Sequence, residues 1–193
     1  AIKSAQKMVQ DGVDVIDVGG ESTKPGAEQI TDELELSRIE STIKAIKRNH
    51  PSCKVSVDTR KSSVMKRVIE LGVDFINDVS ALSFDTSSMQ VLAQDNVQIC
   101  LMHGGLNPKT MQQRTVYDDV VLDVYDYLDE RITSAVAGGI KKENIIVDPG
   151  IGFGKTESQN IRLIQKASVF HSLGCPVLYG VSRKAFILSL IHI

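Results

Sequence analysis

Six short apolar runs, at 13–18, 54–57, 74–76, 97–102, 144–147 and 176–179, alternate with stretches of helical periodicity along the 193 residues. Alternation of this kind builds βαβ units, which are right-handed and generate a parallel sheet. The runs are nearly continuous in Val and Ile, as expected of strands covered on both faces. Each run stops on polar or glycine-rich chemistry: Gly19, Asp58, Asn77, His103, Asp148 and, beyond Gly180, Ser182. An open doubly wound sheet would gather function at one crevice, whereas a barrel brings every strand end to one mouth. The pattern therefore predicts an α/β chain of the (β/α)8 TIM-barrel class. About six βα units cannot close eight strands, so the barrel reads as incomplete, lacking about one strand at each end.

Between the strands the periodicity predicts helices over 2–10, 31–48 (capped at Thr31-Asp32-Glu33), 62–71, 86–95, 117–137 and 158–172. The apolar positions Leu122, Tyr125, Leu128 and Ile132 of the long fifth helix read as core. A net charge of −2 with scattered Lys and Arg argues against a nucleic-acid or anionic-membrane surface. Cys53, Cys100 and Cys175 lie in or beside apolar runs without C-x-x-C spacing, which predicts buried, reduced thiols in a cytosolic setting. No secretory signal pattern or bilayer-length apolar run is present, although the chain begins at Ala1, already inside a helical pattern.

The segment Asp148-Pro149-Gly150-Ile151-Gly152-Phe153-Gly154-Lys155-Thr156 ends a strand on a carboxylate and enters a loop with glycine at alternate positions. Pro149 keeps Asp148 extended and stops the strand, while the glycines permit positive φ and close approach of a ligand. The Walker pattern fails because Pro149 occupies its first glycine position. The dinucleotide fingerprint fails because its third glycine falls on Lys155. An ordinary strand–loop–helix corner accounts for this segment about as well as a ligand site does.

Converging strand ends would unite two carboxylates (Asp58, Asp148), a carboxamide (Asn77) and a cation (Lys184). Such a set suits a heteroaromatic ring with an amidine-like edge, because a carboxylate accepts two parallel N–H bonds and Asn both donates and accepts. Taken singly, Asp58 and Asn77 read equally well as helix caps and Lys184 as a solvated charge. His103 stands without metal-ligand spacing. The loop Gly19-Gly20-Glu21-Ser22-Thr23-Lys24-Pro25-Gly26 offers amides, hydroxyls and a cation to a diphosphate or carboxylate, or is simply a polar loop.

Val15 to Ala27 resembles the second-strand signature of the dihydropteroate synthase family. Val57-Asp58-Thr59, Ile76 to Ser80 and Leu101-Met102-His103 resemble its third to fifth strands, and Asp148 to Thr156 and Gly180 to Ile187 its sixth and seventh. The resemblance implies a TIM barrel that joins 4-aminobenzoate to 6-hydroxymethyl-7,8-dihydropterin diphosphate, releasing pyrophosphate, in folate synthesis. It places Asp58, Asn77, Asp148 and Lys184 on the pterin, with Met102 lining its pocket and with Asp58, Asp148 and Lys184 as the catalytic set. Thr23, Lys24 and Pro25 fall on the aminobenzoate and diphosphate loop, and Phe153 and Ser182 border the aminobenzoate. It implies Mg2+ with the diphosphate, its ligand expected in a first strand that this sequence lacks, together with a homodimer and a cytoplasmic location. Residues 1–187 form the partial pterin-binding barrel domain on this reading. Residues 188–193 depart from the family pattern and are either native or a truncation or read-through tail. Without the outer strands the piece is expected to be inactive. The other readings are a methyltetrahydrofolate-type pterin methyltransferase and a non-catalytic pterin-binding module.

Overall fold

A computed structural model of the chain describes residues 1–23, 26–104, 116–182 and 184. Five parallel strands, β1 (Val15–Gly19), β2 (Lys54–Asp58), β3 (Phe75–Asp78), β4 (Gln98–Met102) and β5 (Ile145–Asp148), pair in sequence order. An order that never reverses has no switch point, as in a curling barrel wall. Helices α1 (Ile2–Gln10), α2 (Asp32–Asn49), α3 (Ser62–Glu70), α4 (Ser88–Gln94), α5 (Val120–Ala137) and α6 (Glu157–Gln165) complete the alternation.

The register explains the two-sided burial. Val57 pairs with Ile76, Ile76 with Ile99 and Ile99 with Ile145, and all four side chains are fully buried. They share the core with Ile39, Ile43 and Ile46 of α2, Val64, Met65 and Val68 of α3, and Val124, Leu128 and Ile132 of α5. The alternate residues of each strand face the barrel interior. Helix ends follow local chemistry. Thr31 accepts from the Leu34 amide, and Thr156 and Gln159 form a complete capping box at α6.

Four expectations need correction. The predicted sixth strand, 176–179, is a single parallel bridge from Val147 to Val177, backed by the Val147 N–H to Pro176 O (3.0 Å) and Leu178 N–H to Val147 O (2.8 Å) bonds. Gly174, left-handed at φ 72°, and Pro176, which has no N–H to give, bring the chain beside β5 too briefly for a ladder. The helix expected over 158–172 ends at Gln165 and continues as a 3-10 helix, Ala167–Leu173. The helix expected from 117 begins at Val120, because Asp119 caps the Val121 amide and Tyr117 instead donates its hydroxyl to Gly154 O. On that helix Leu128 and Ile132 are core as expected, but Leu122 is 56% exposed. The three cysteines are free and buried.

Candidate functional site

The interior-facing residues of β1 to β5 and the loops after them enclose a cavity of about 420 Å³. Among its lining are Thr23, Asp58, Asn77, Met102, Phe153 and Asp148, six of the residues singled out in the sequence. The register sets Asp58 opposite Asn77 and Met102 opposite Asp148, so these side chains lie on one ring at the carboxyl ends of the strands. Ser182 is exposed and does not line this cavity. Lys184 is not among the residues that line it, but its ammonium lies 4.3 Å from the centroid of the ring of Phe153, which does. Lys24 and Pro25, like residues 188–193, lie outside the described residues.

Neither Asp58 nor Asn77 caps the helix after it. The first amide of α3, Ser62 N–H, donates to Asp85 (2.8 Å), and α4 starts from Ser87. The neighbouring Asp78 does the local structural work, accepting from Ser80 N–H, Ser80 Oγ and Leu82 N–H in a turn where Ala81 and Leu82 have φ of 49° and 61°. Asn77 is left facing the cavity, and its Oδ1 is buried with no hydrogen-bond partner. A buried acceptor without a partner costs roughly 1–3 kcal/mol, which a ligand donor would recover.

The electrostatics are lopsided. Burial pushes the Asp58 carboxyl well above its ordinary value, and the nearby charges of Asp17 and Asp78 add to the effect. Asp148 is raised to about 6 by burial, against the opposing effects of the Gly150 N–H, Lys155 and Lys184. Asp17 is raised by burial and partly offset by a hydrogen bond with Ser56. Such acceptor-rich, poorly solvated walls favour a ligand that brings N–H groups or positive charge. Val15, Phe75, Val79, Ile146 and Leu178 supply apolar surface for a flat ring.

Asp17 and Cys100 were missed by attention to strand ends alone. Both occupy interior positions inside their strands, Asp17 opposite Ser56 and Cys100 opposite Asn77. The period-2 alternation Val15, Asp17, Gly19 was the available signal. Behind the site, the loop after β1 is rooted by a buried ion-pair network. Glu21 accepts from Arg60 (2.7 Å) and Lys61 (3.0 Å), and Lys61 also pairs with Glu35 at 2.8 Å. Glu21 further accepts from the Ile30 amide (3.1 Å), closing the loop on itself. Among the described residues no group of three or more His, Cys, Asp or Glu side chains could hold a metal ion, and no helix is long and apolar enough to cross a membrane.

The family described as pterin binding enzyme matches residues 1–193. The dihydropteroate synthase of Escherichia coli (strain K12) is 40% identical over 193 residues, covering 100% of this chain and 68% of that protein. The structure of Xanthomonas albilineans dihydropteroate synthase with 4-aminobenzoic acid superposes with a TM-score of 0.91 at 36% identity, covering 99% of this chain and 67% of the other. The same enzyme in complex with 7,8-dihydropteroate gives 0.87 at 33% identity, with coverage of 99% and 66%. The chain thus spans about two thirds of the length of these relatives. A parallel barrel wall, a cavity at its strand ends and a match along the whole sequence agree: the chain belongs to the pterin-binding enzyme family, beside the dihydropteroate synthases.

Proposed function

We propose that this chain carries the dihydropteroate synthase chemistry, in which 4-aminobenzoate displaces diphosphate from 6-hydroxymethyl-7,8-dihydropterin diphosphate to give 7,8-dihydropteroate. The observation that carries the reading is the unpartnered, buried Oδ1 of Asn77, set between Asp58 and Asp148 on one apolar-walled cavity. A pterin presents an amidine-like edge of N–H donors beside a ring carbonyl. Asp148 and Asp58 would accept from that edge, Asn77 would take a further donor, and Lys184, half-buried over Phe153, would face the carbonyl side.

The C–O bond to diphosphate breaks, leaving positive charge delocalised over the pterin methylene and ring, and the pair on the aryl amine nitrogen then forms the C–N bond. The amine proton leaves to solvent or to pyrophosphate. Carboxylates fixed beside the ring stabilise the cation without reorganising, so the protein contributes electrostatic preorganisation and positioning. A neutral aryl amine needs no strong base. His103, half-buried and lowered to about 3 by desolvation and the Lys155 charge, is neutral near pH 7, with Nδ1 engaged by Lys155. Thr23 and Phe153 stand on the aminobenzoate side of the cavity on this reading. Mg2+ would be held chiefly by the diphosphate oxygens, since among the described residues no group of three or more His, Cys, Asp or Glu forms a cage for it. We infer that the chain pairs as a homodimer, which sedimentation tests.

Titration calorimetry of the chain with the pterin diphosphate, with and without Mg2+, tests the reading. Binding is expected, and its strengthening by Mg2+ would report a diphosphate subsite. A folded chain that binds no pterin at millimolar concentration overturns the assignment.

A further inference from the structure

Lys155 has no place in the chemistry above, yet it is among the most enclosed cations of the described chain, at 6% exposure. Its ammonium meets four acceptors: Nδ1 of His103 (2.9 Å) and the carbonyls of His103 (3.2 Å), Gly150 (3.0 Å) and Phe153 (3.0 Å). Two of those carbonyls belong to the loop that follows Asp148, and the third ends β4. The loop has coiled around its own cation. Gly150, Gly152 and Gly154 all take positive φ, and a Cβ on Gly150 would lie 1.9 Å from His103 O. That leaves no room between loop and strand for anything but glycine.

We propose that Lys155 is a positioning residue for the pterin site: its buried ammonium clamps the 149–154 loop to the end of β4, fixing Asp148 and Phe153 and standing as a counter-charge behind the Asp148 carboxylate. Burial lowers Lys155 to about 7, with Asp148 opposing the effect, so the counter-charge is in place where Asp148 titrates and fades at alkaline pH. This inference rests on the proposed pterin reading for its functional part. The geometry separates two cations with different tasks. Lys184 lies on the ring of Phe153, which lines the cavity, whereas Lys155 holds the backbone of the same residue. Lys155 does not line the cavity. The groups facing Asp148 are few: Lys155 and Lys184, the Gly150 amide, Cys100 on β4, Tyr179 beyond the bridge, and Asp17 and Asp58 across the cavity. Lys155 and Lys184 are the two cations among them; Lys184 meets the loop through the Phe153 ring, and Lys155 holds the loop's backbone carbonyls.

Two measurements on the ligand-free chain decide the clamp without any pterin. In the parent, nitrogen-15 spectra of His103 should show Nδ1 unprotonated and the proton on Nε2, as donation from Lys155 requires. A proton on Nδ1 overturns the contact. In Lys155→Met, carbon-13 titration of Asp148 should show its midpoint raised above the parent's about 6, by about one pH unit or more. An unmoved midpoint in a folded variant overturns the counter-charge. Should Lys155→Met not fold, Lys155→Gln serves the same titration, retaining a donor while removing the charge. With 6-hydroxymethylpterin as probe, the variant should bind roughly twofold more weakly at pH 7, because a midpoint moved from about 6 to about 7 nearly halves the ionised fraction, and recover that loss at pH 9, where Asp148 is ionised regardless. A loss equal at both pH values would reduce Lys155 to a structural residue and overturn the proposal. A parent that binds no pterin would instead defeat the proposed function, leaving the two ligand-free measurements to judge the clamp.

Discussion

Arg60 donates from both Nε (3.1 Å) and Nη2 (2.7 Å) to one carboxylate oxygen of Glu21, with both side chains 9% exposed. Arg60 lies two residues beyond Asp58 and Glu21 two before Thr23, so this pair ties the end of β2 to the loop that carries Thr23. Buried ion pairs seldom add net stability over apolar replacements, but leaving one partner alone is costly. Glu21→Gln should therefore destabilise the chain by roughly 3 kcal/mol, read as a lower urea midpoint with unchanged slope. The carboxyl of Glu21 is held below its ordinary range by its hydrogen-bond partners Ile30, Lys61 and Arg60, against burial. Its contribution is thus present at neutral pH and is lost as pH falls through the folded value. A variant as stable as the parent at pH 7 would refute the anchoring role.

Asn77 offers the opposite trade. Its Oδ1 is buried and unpartnered in the free protein, so Asn77→Leu should leave ligand-free stability within about 1 kcal/mol of the parent or raise it. Pterin affinity should fall by roughly a hundredfold, the cost of losing a buried polar contact. Thermal denaturation and calorimetry on the same preparation check both halves. Unimpaired affinity would remove Asn77 from the site.

Asp148 gives a pH signature of definite sign. Its folded value, about 6, lies above the ordinary 3.8, so the folded chain binds more protons between these values and loses stability as pH rises through them. Asp148→Asn should accordingly stabilise the ligand-free chain by roughly 2–3 kcal/mol at pH 8 and hardly at all below pH 4. Pterin binding should disappear. Denaturant curves at the two pH values provide the test, and an equal effect at both would contradict the burial of an ionised carboxylate.

Gly150→Ala should be among the most damaging single-methyl additions in the chain. The new Cβ would meet the His103 carbonyl oxygen at 1.9 Å, at a φ of +69°. A fall of at least about 6 °C in melting temperature is expected, with weaker pterin binding, because loop and strand must part. Gly12, also at positive φ but with nothing within 4 Å of its Cβ position, is the comparison, and Gly12→Ala should cost only about 1 kcal/mol.

Much of this was legible in the residues. Strand periodicity placed five strands within a residue or two and α1 at Ile2–Gln10, because those elements are set by local pattern and burial. The segment Pro176–Tyr179 misled because an apolar run specifies burial, not pairing, and only Val177 finds a partner. Asp58, Asn77 and Asp148 were visible as strand ends. Asp17 was not, since a carboxylate inside a strand signals a site only once its inward direction is known. The enclosure of Lys155 was hidden for a related reason: its four acceptors come from residues as far as 52 positions away.

The unreversed order of β1 to β5 bears on how the molecule is made. Each strand's partner is the one immediately upstream, joined through one helix, so every edge is offered by chain already synthesised. Emerging from the ribosome, the wall can grow one unit at a time, each arriving strand docking on the last without waiting for a distant segment. Translation order and assembly order coincide, and the growing edge is always the one the next unit will cover.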